Sequence, residues 1–281
     1  MKVKIKKICL VNFISTLLCL LILSCASSSA SCTTKHNVSP GLEIPLCKST
    51  QALKNGHDHE VHSYNGFTLC YRESYECAEW VSYTLTAEEV DGTFPRSNNF
   101  REDLNISTGS ASLNDYRRSG YDRGHLAPAG DMKWSEGSMS DTFLLSNITP
   151  QRHSFNDGIW KQLEEQVRRW AKKYGEVVVI TGPVLEKKSS AYSRIGENAV
   201  AVPEFFYKVL YALNADGEEM TLAFIIPQEN FSGSIYDYAV TVDEVEKRTG
   251  LDFFVSLDDE KESLLESEVN VSAWRKRNSP R

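Results

Sequence analysis

A short segment near the middle of the chain carries residue types that could move a proton beside an anion. Asp122, Arg123, Gly124 and His125 are consecutive, so an acid, a guanidinium and an imidazole lie within four positions. Histidine titrates near neutral pH and can take a proton from water, while arginine can hold an anion. Gly124 lets the backbone approach a bulky charged ligand. These residues favour acid–base chemistry on an anionic substrate, although taken alone they are also compatible with a surface loop that contains an unrelated histidine.

A second polar group opens the clearest helical pattern in the sequence. Asn156 precedes the run 157–174, in which apolar residues recur on one face. Glu164 and Arg168 lie eight and twelve positions after Asn156, on roughly the same side at about 3.6 residues per turn. Oxygens of Asn156 and Glu164 could therefore converge on Mg²⁺, which keeps several waters and needs few protein ligands. The alternative makes Asn156 a helix cap and Glu164–Arg168 an i, i+4 surface pair.

The elements that must position these residues are strands and helices in mixed order. Strands are predicted in two runs within 67–86 and at 142–148, 176–181, 204–213 and 220–226. Val81, Tyr83 and Leu85 alternate as in a half-buried strand, and the polar stretch 95–120 predicts a loop. A second helix is predicted at 238–249, closed by Gly250. The mixture indicates an α/β or α+β domain built on a largely antiparallel sheet.

The first residues of the chain differ from the rest. Four lysines within 2–7 precede an apolar run from Ile8 to Leu23, and small residues follow, which is typical of an export signal. Cys25 ends a stretch that resembles a bacterial lipobox, in which the cysteine becomes the lipidated first residue. Cleavage after Ala30 is the alternative.

The sequence therefore predicts three segments. Residues 1–24 are expected to be a signal peptide, 25–55 a tether rich in serine, threonine and proline, and 56–281 the folded domain. The protein would then be exported. It would either be anchored to a membrane through a lipidated Cys25 or be released as a periplasmic or secreted protein.

The composition is typical of a folded protein, but the acidic net charge restricts how the chain could bind nucleic acid. Charged residues make up 25% of the 281 residues and hydrophobic residues 41%, which is ordinary for a globular protein. The formal net charge is −7, and because residues 1–24 carry four lysines and no acid, the remainder has a charge of −11. Nucleic-acid phosphates attract lysine and arginine. Any nucleic-acid binding therefore requires a local basic patch.

The cysteines of the chain could form disulfides. Beyond the signal and Cys25, four cysteines remain, and an even set in an exported protein suggests disulfides: Cys32, Cys47, Cys70 and Cys77. The six residues between the last two could turn back and bring them together. Spacing does not establish the connectivity, and free thiols are the alternative.

The histidines at 57, 59 and 62 could bind zinc, but no cysteine lies at metal spacing beside them, so a polar loop is favoured.

Several motifs in order resemble one known family. The Asp122–His125 run with its Leu-Ala-Pro-Ala-Gly sequel is similar to the signature of the DNA/RNA non-specific endonucleases of the ββα-metal superfamily, which includes secreted bacterial nucleases and mitochondrial apoptotic endonucleases. Ser146–Gln151 and the Asn-x-Gly-x-Trp element at Asn156–Trp160 match in the same order, and the likeness extends from about Tyr64 to Phe254. The resemblance implies an α+β fold in which a ββα-metal finger is embedded in a mainly antiparallel central sheet flanked by helices.

The resemblance also implies roles for single residues, carried over position by position. His125 corresponds to the general base, Asn156 to the Mg²⁺ ligand and Glu164 to the acid that holds a metal-bound water. Asn147 corresponds to an asparagine that supports the catalytic geometry, and Arg168 to an arginine near the phosphate.

Further arginines complete the expected site. Arg123 is expected to bind the substrate. The family's upstream arginine, which stabilises developing charge, falls on Arg96, with Arg101 as its rival because the spacing to the following aromatic and acidic residues is looser here. The expected ion is Mg²⁺, with Mn²⁺ as an alternative.

The predicted function is an exported, Mg²⁺-dependent endonuclease. It would hydrolyse DNA and RNA phosphodiester bonds with low sequence specificity and leave 5′-phosphate ends. One alternative is a surface lipoprotein that binds nucleic acid without cutting it, and another is a phosphodiesterase that acts on small diesters. A nuclease-plate assay separates the first alternative from an enzyme.

Overall fold

Strands account for much of the chain. The computed structural model describes residues 41–42, 44–47, 58–229 and 233–275, so the predicted signal, the cysteines at 25 and 32, and residues 276–281 lie outside the described residues. In chain order the strands are β1 (Leu46–Cys47), β2 (His59–Ser63), β3 (Thr68–Arg72), β4 (Cys77–Thr86), β5 (Asp122–His125), β6 (Ile148–Gln151), β7 (Glu176–Pro183), β8 (Arg194–Ile195), β9 (Val200–Ala201), β10 (Phe205–Leu213), β11 (Glu219–Pro227), β12 (Ala239–Val240) and β13 (Leu251–Asp252).

Helices and single turns connect these strands. The helices are α1 (Ala87–Val90), α2 (Leu113–Tyr116), α3 (Glu136–Asp141), α4 (Lys161–Tyr174), α5 (Val242–Thr249), α6 (Asp259–Glu266) and α7 (Val271–Arg275). A π-helical turn, Phe155–Trp160, precedes α4 and is interrupted at Gly158, whose backbone is not helical. No helix within the described ranges is both long enough and apolar enough to cross a membrane.

Seven strands form the central sheet, in the order β12-β11-β10-β7-β4-β3-β2, and each pairs antiparallel with its neighbours. This confirms the predicted antiparallel sheet. One face packs against α4 through Trp170, and the other face packs against α5 through Val245. The prediction of a half-buried strand at Val81–Leu85 was wrong: because both faces of the sheet are covered, β4 is buried on both sides.

A small β-hairpin and helix lie beside this sheet. β5 pairs antiparallel with β6, with His125 opposite Ile148, and the Phe155–Trp160 turn and α4 follow. The Gln151 side chain packs over Gly124, where a Cβ would lie 2.1 Å from Cδ of Gln151. A larger residue there would require the buried Gln151 side chain to move. The predicted ββα unit within an α+β fold is therefore confirmed.

The segment 142–148 was predicted as a strand, but most of it has a different backbone conformation. Leu145–Asn147 is a 3₁₀ turn, and strand β6 begins only at Ile148. The backbone of Leu145 donates to Arg101 rather than to a neighbouring strand of the sheet. A short apolar run predicts burial, but burial alone does not distinguish a strand from a turn.

The helix predicted at 238–249 and the predicted tether also differ in extent from the structure. The helix predicted at 238–249 begins at Val242, because Thr241 accepts a hydrogen bond from the Glu244 N–H at 3.0 Å and caps it. Gly250 closes it with φ 73°, as predicted. Within the predicted tether, Leu42 is fully buried in the core, so at least this residue packs on the folded body.

The β3–β4 hairpin brings Cys70 and Cys77 onto adjacent strands without joining them. Cys70 lies opposite Trp80 and Cys77 opposite Arg72, and no disulfide links Cys70 to Cys77. Complete burial raises the pKa of the Cys77 thiol to about 12. The turn between the cysteines was predicted correctly, but the register of the hairpin separates them.

Candidate active site

His125 lies at the end of β5 in an aromatic enclosure. Its ring centroid is 5.5 Å from that of Phe100 and 5.0 Å from that of Phe143. The Nε2 atom is buried and has no hydrogen-bond partner among the residues that the structure describes. Burial, together with the positive charges of Arg96 and Arg123, lowers the pKa of His125 to about 3. The imidazole is therefore neutral at neutral pH, and one of its two nitrogens carries no proton.

Two arginines surround this imidazole. The guanidinium carbon of Arg96 lies 4.8 Å from the Phe143 ring centroid, and that of Arg123 lies 4.1 Å from the Phe100 ring centroid. Burial lowers the pKa of Arg96 below its usual value, Arg123 adds to this effect, and Glu164 opposes it. Arg96 thus interacts with both the predicted base and the predicted acid.

Arg101, the rival of Arg96, is engaged elsewhere. Its Nη1 atom donates to the Ser140 carbonyl oxygen at 2.8 Å, and its Nη2 atom lies 3.6 Å from an oxygen of Asp141. The structure therefore brings Arg96, and not Arg101, to His125.

Asn156 is held by the first residue of β5. Its Nδ2 atom donates to Oδ2 of Asp122 at 3.0 Å, and Nδ1 of His153 lies 2.9 Å from the same oxygen. Asn156 is not the helix cap that the sequence suggested as an alternative, because it lies inside the π-helical turn and its N–H donates to the Arg152 carbonyl oxygen. Since the amide nitrogen is bound to Asp122, Oδ1 is the atom of this side chain that can ligate a cation.

Glu164 and Arg168 follow on α4 but do not form the surface pair of the alternative reading. Arg168 instead donates to Oδ1 of the fully buried Asp131 at 2.6 Å, and the Tyr83 hydroxyl donates to Oδ2 of Asp131 at 2.7 Å. Burial raises the pKa of Glu164 to about 7, while the nearby ammonium of Lys208 opposes the shift. A bound cation would favour the ionised form of this carboxyl.

Asn147 is fully buried and does not reach solvent. Its Oδ1 atom accepts from the Ala127 N–H at 2.9 Å, and its Nδ2 atom donates to the carbonyl oxygens of Ala127 at 3.0 Å and of Thr142 at 2.9 Å. These bonds fasten the chain that follows His125 to the segment before β6. Asn147 therefore fixes the backbone of Ala127, two residues after His125, against that of Thr142.

A groove of about 630 Å³ opens beside part of this group, and His125 and Glu164 are not among the described residues that line it. Arg96, Arg117, Arg123 and Asn156 line it, and its acidic residue, Asp122, is already bound to Asn156. Although the chain has a net charge of −7, this wall is positive. It is the local basic patch that nucleic-acid binding requires.

Sequence reasoning missed several residues of the site. Phe100 and Phe143 flank the imidazole, and Asp131 holds Arg168, but none of them has a distinctive signal in one sequence. Lys208 did have one, because it is the charged residue within the otherwise apolar run of β10. A charge in such a run is expensive to bury and usually has a partner or a role.

The oxygen donors of this site fit a hard cation. Oδ1 of Asn156 and the carboxylate of Glu164 are the neutral and anionic oxygen ligands that Mg²⁺ and Mn²⁺ accept, and no thiolate lines the groove. A separate group of side chains lies away from it: Nδ1 of His59 is 2.7 Å from Glu79 and 3.7 Å from Sγ of Cys70. His59 and His62 belong to strand β2 rather than to the predicted polar loop, and His57 lies outside the described residues.

Comparisons with known proteins identify relatives of this chain. The sequence pattern of the family described as DNA/RNA non-specific endonuclease matches residues 49–260. Human "Endonuclease G, mitochondrial" is 35% identical over 205 residues, which cover 69% of this chain and 69% of that protein. Zebrafish (Danio rerio) "Nuclease EXOG, mitochondrial" is 35% identical over 211 residues, which cover 70% of this chain and 62% of that protein. The chain thus spans less than two thirds of the zebrafish relative.

A solved structure shares the fold. The endonuclease in a crystal structure of the EndoG/EndoGI complex, which concerns the mechanism of EndoG inhibition, superposes with a TM-score of 0.67. It is 33% identical, and the match covers 81% of this chain and 96% of that chain. The ordered motifs, the ββα unit and these similarities agree, and the chain belongs to the DNA/RNA non-specific endonuclease family.

Proposed function

We infer that this protein is a metal-dependent endonuclease that hydrolyses DNA and RNA with little sequence preference and leaves 5′-phosphate ends. One observation carries this conclusion. The buried, neutral imidazole of His125, whose Nε2 has no hydrogen-bond partner in the described part of the chain, is influenced by the charges of Arg96 and Arg123, and these two arginines line a positive groove. Such an arrangement suits proton removal from water next to a phosphate.

The low pKa of His125 belongs to the protein without substrate. Arg96 and Arg123 repel a proton on the imidazole. A phosphate bound between these arginines would offset their charge, so the pKa of His125 should rise when the substrate binds. The base would then become stronger in the complex that reacts.

The arginines would contribute both to catalysis and to low sequence specificity. The negative charge that develops on phosphorus-bound oxygens during attack by water would be stabilised by Arg96, which is fixed over Phe143. Arg117 and Arg123 extend the positive wall along the groove. Contacts with the phosphate backbone carry no base information, so these residues would accept many sequences.

Asn156 and Glu164 are the residues that would hold the metal. Asp122 fixes the amide of Asn156, and α4 supplies Glu164 from the adjoining helix. When bound, Mg²⁺ or Mn²⁺ would offset charge on the phosphate and on the departing 3′ oxygen. Asn147 would keep the chain around His125 in register with these ligands.

Plasmid and RNA cleavage by His125→Ala tests the proposal. The variant should lose at least roughly 10²–10⁴ in rate, the usual scale for a positioned general base. It should keep its fold. His62→Ala, on strand β2, is a matched control and should cleave at the parent rate. EDTA should abolish cleavage and Mg²⁺ or Mn²⁺ should restore it. Parent-like cleavage by His125→Ala, or undiminished cleavage without metal, would contradict the proposal.

The same variant separates cutting from binding. If the protein only bound nucleic acid, the parent would shift DNA in a gel without shortening it. On the endonuclease proposal, His125→Ala shifts DNA and the parent degrades it. Small diesters, compared with long polymers at equal phosphate concentration, distinguish a phosphodiesterase from a polymer-cutting enzyme.

Export is the second part of the proposal and rests on sequence alone. The basic and apolar start predicts a signal at 1–24, and Cys25 is the candidate for lipidation. The two relatives described above are named as mitochondrial, so the location of this protein has to be measured. Fractionation of the expressing cells, with metabolic labelling by palmitate of the parent and of Cys25→Ala, distinguishes an anchored from a released protein.

A further inference from the structure

Three carboxylates from two helices meet on the face of the central sheet that α4 does not cover. Asp243 and Glu246 belong to α5, and Glu266 is the last residue of α6. One oxygen of each carboxylate lies within 4.8 Å of the corresponding oxygens of the other two. Both helices pack on this face, where the Thr221 hydroxyl of β11 donates to the Leu265 carbonyl oxygen at 2.5 Å. The packing of α5 and α6 on the sheet therefore brings the three acids together.

Two of these carboxylates are almost completely removed from water. The exposed fraction is 8% for Glu246 and 5% for Glu266, whereas Asp243 is exposed. Oε1 of Glu246 accepts from the Phe253 N–H at 2.8 Å. Oε1 of Glu266 is buried and has no hydrogen-bond partner among the residues that the structure describes. A buried carboxylate oxygen without a partner is costly, so its position beside two other acids requires an explanation.

The basic side chains of the two helices are engaged elsewhere. Each forms an ion pair with a different acid: Lys247 with Glu244, Arg248 with Glu186, and Lys261 with Glu219. Glu266 also lies in the last turn of α6, where the helix dipole disfavours a negative charge. Burial, followed by the neighbouring carboxylates, among which Glu246 acts most strongly, raises the pKa of Glu266 to about 8. This group of acids therefore has an excess of negative charge.

Calcium is the ion whose coordination fits these three side chains. Ca²⁺ binds oxygen ligands at about 2.3–2.6 Å, so two oxygens on one ion are at most about 5 Å apart. The three carboxylate oxygens satisfy this limit. Because Asp243 is exposed, water can reach one side of the group and supply further ligands. Mg²⁺ is usually held by only one or two carboxylates and keeps several waters, so a set of three carboxylates favours Ca²⁺.

We propose that Asp243, Glu246 and Glu266 form a Ca²⁺ site that stabilises the packing of α6 against α5. The ion would bind the buried Oε1 of Glu266 and offset the mutual repulsion of the carboxylates. It would connect the end of α6 to the first half of α5, and so hold both helices on the sheet. The site shares no residue with the candidate active site, and the inference does not depend on the proposed nuclease activity.

Thermal unfolding of the full chain with Asn156→Ala measures Ca²⁺ binding at this site. This substitution removes the proposed catalytic ligand, so that a cation at the active site does not contribute. Ca²⁺ sites of extracellular modules have dissociation constants of roughly 10⁻⁴–10⁻³ M. After removal of metal by EDTA and dialysis, about 10 mM Ca²⁺ should therefore raise the melting temperature by roughly 3–10 °C. NaCl at equal ionic strength should change it little.

Three further substitutions, each made beside Asn156→Ala, identify the ligands. Glu266→Gln should melt at or above the temperature of the Ca²⁺-free protein, because a buried repulsion is removed, and Ca²⁺ should no longer raise that temperature. Asp243→Asn, at an exposed ligand, should weaken Ca²⁺ binding at least roughly tenfold in calorimetry, since affinity follows the charge of the ligands. Glu260→Gln, an exposed position of α6, removes the same charge and should keep the full response to Ca²⁺.

The outcomes that overturn the proposal are equally specific. They are a melting temperature that does not respond to Ca²⁺, a response that persists in Glu266→Gln, and a response to Mg²⁺ without one to Ca²⁺. If Glu266→Gln does not fold, Asp243→Asn decides, because its side chain is exposed and of equal size. Unchanged Ca²⁺ affinity in Asp243→Asn then overturns the proposal.

Discussion

Binding of Mg²⁺ should drive a proton off Glu164. Burial raises the pKa of this carboxyl to about 7, with Lys208 opposing the shift. A carboxyl with that pKa is protonated in roughly 0.9 of the molecules at pH 6, half at pH 7 and 0.1 at pH 8. Because the cation binds the ionised carboxylate, each Mg²⁺ should release about those numbers of protons.

The same pKa sets how the affinity for Mg²⁺ changes with pH. Between pH 7 and pH 6 the ionised fraction of Glu164 falls from half to about one tenth, so the apparent affinity should be roughly fivefold weaker at pH 6. His125 does not contribute, because its pKa of about 3 keeps it neutral over this range. Lys208, with a pKa lowered to about 8, titrates nearby and must be separated from Glu164 by mutation.

Titration calorimetry in two buffers of different ionisation enthalpy counts the released protons. Glu164→Gln should bind Mg²⁺ more weakly and release close to none. Glu165→Gln, at the next and exposed position of α4, should behave as the parent. Proton release that stays the same from pH 6 to pH 8, or that persists in Glu164→Gln, would refute the reasoning.

Two further predictions concern single residues of the site. Arg96→Ala should lower kcat roughly 10²-fold, the scale for loss of one transition-state donor, while Arg101→Ala should leave kcat near the parent value; the opposite result would reverse their assignment. Asn147→Ala removes three hydrogen bonds from a fully buried amide and leaves groups of Ala127 and Thr142 unpaired, so the free energy of unfolding should fall by on the order of 3 kcal/mol. Denaturant titration measures this loss, and an unchanged midpoint would show that water replaces the amide.

Much of the fold could be predicted from the pattern of apolar residues and from residues, such as Gly250, that end a helix. The strands at 176–181, 204–213 and 220–226 and the helix closed by Gly250 are confirmed to within a few residues. Their patterns reflect which side chains are buried, and burial is encoded locally. The segment at 142–148 was assigned to the wrong element because its apolar run, Phe143–Leu145, is too short to show a period.

The amino-acid sequence by itself determined the family and the candidate chemistry. His125, Asn156 and Glu164 are recognisable because short motifs hold them at set positions on a hairpin and a helix, where distance along the chain translates directly into distance in space. The catalytic roles of these residues stay predictions.

Only the tertiary structure decided which distant residues surround them. The choice of Arg96 over Arg101 and the pairing of Arg168 with Asp131 each join positions far apart in the chain. Packing of the sheet against α4 creates these contacts, and the energy of a charge depends on the neighbours and solvent that packing leaves around it. Residue types and spacing do not contain that information, because it arises only when the elements come together.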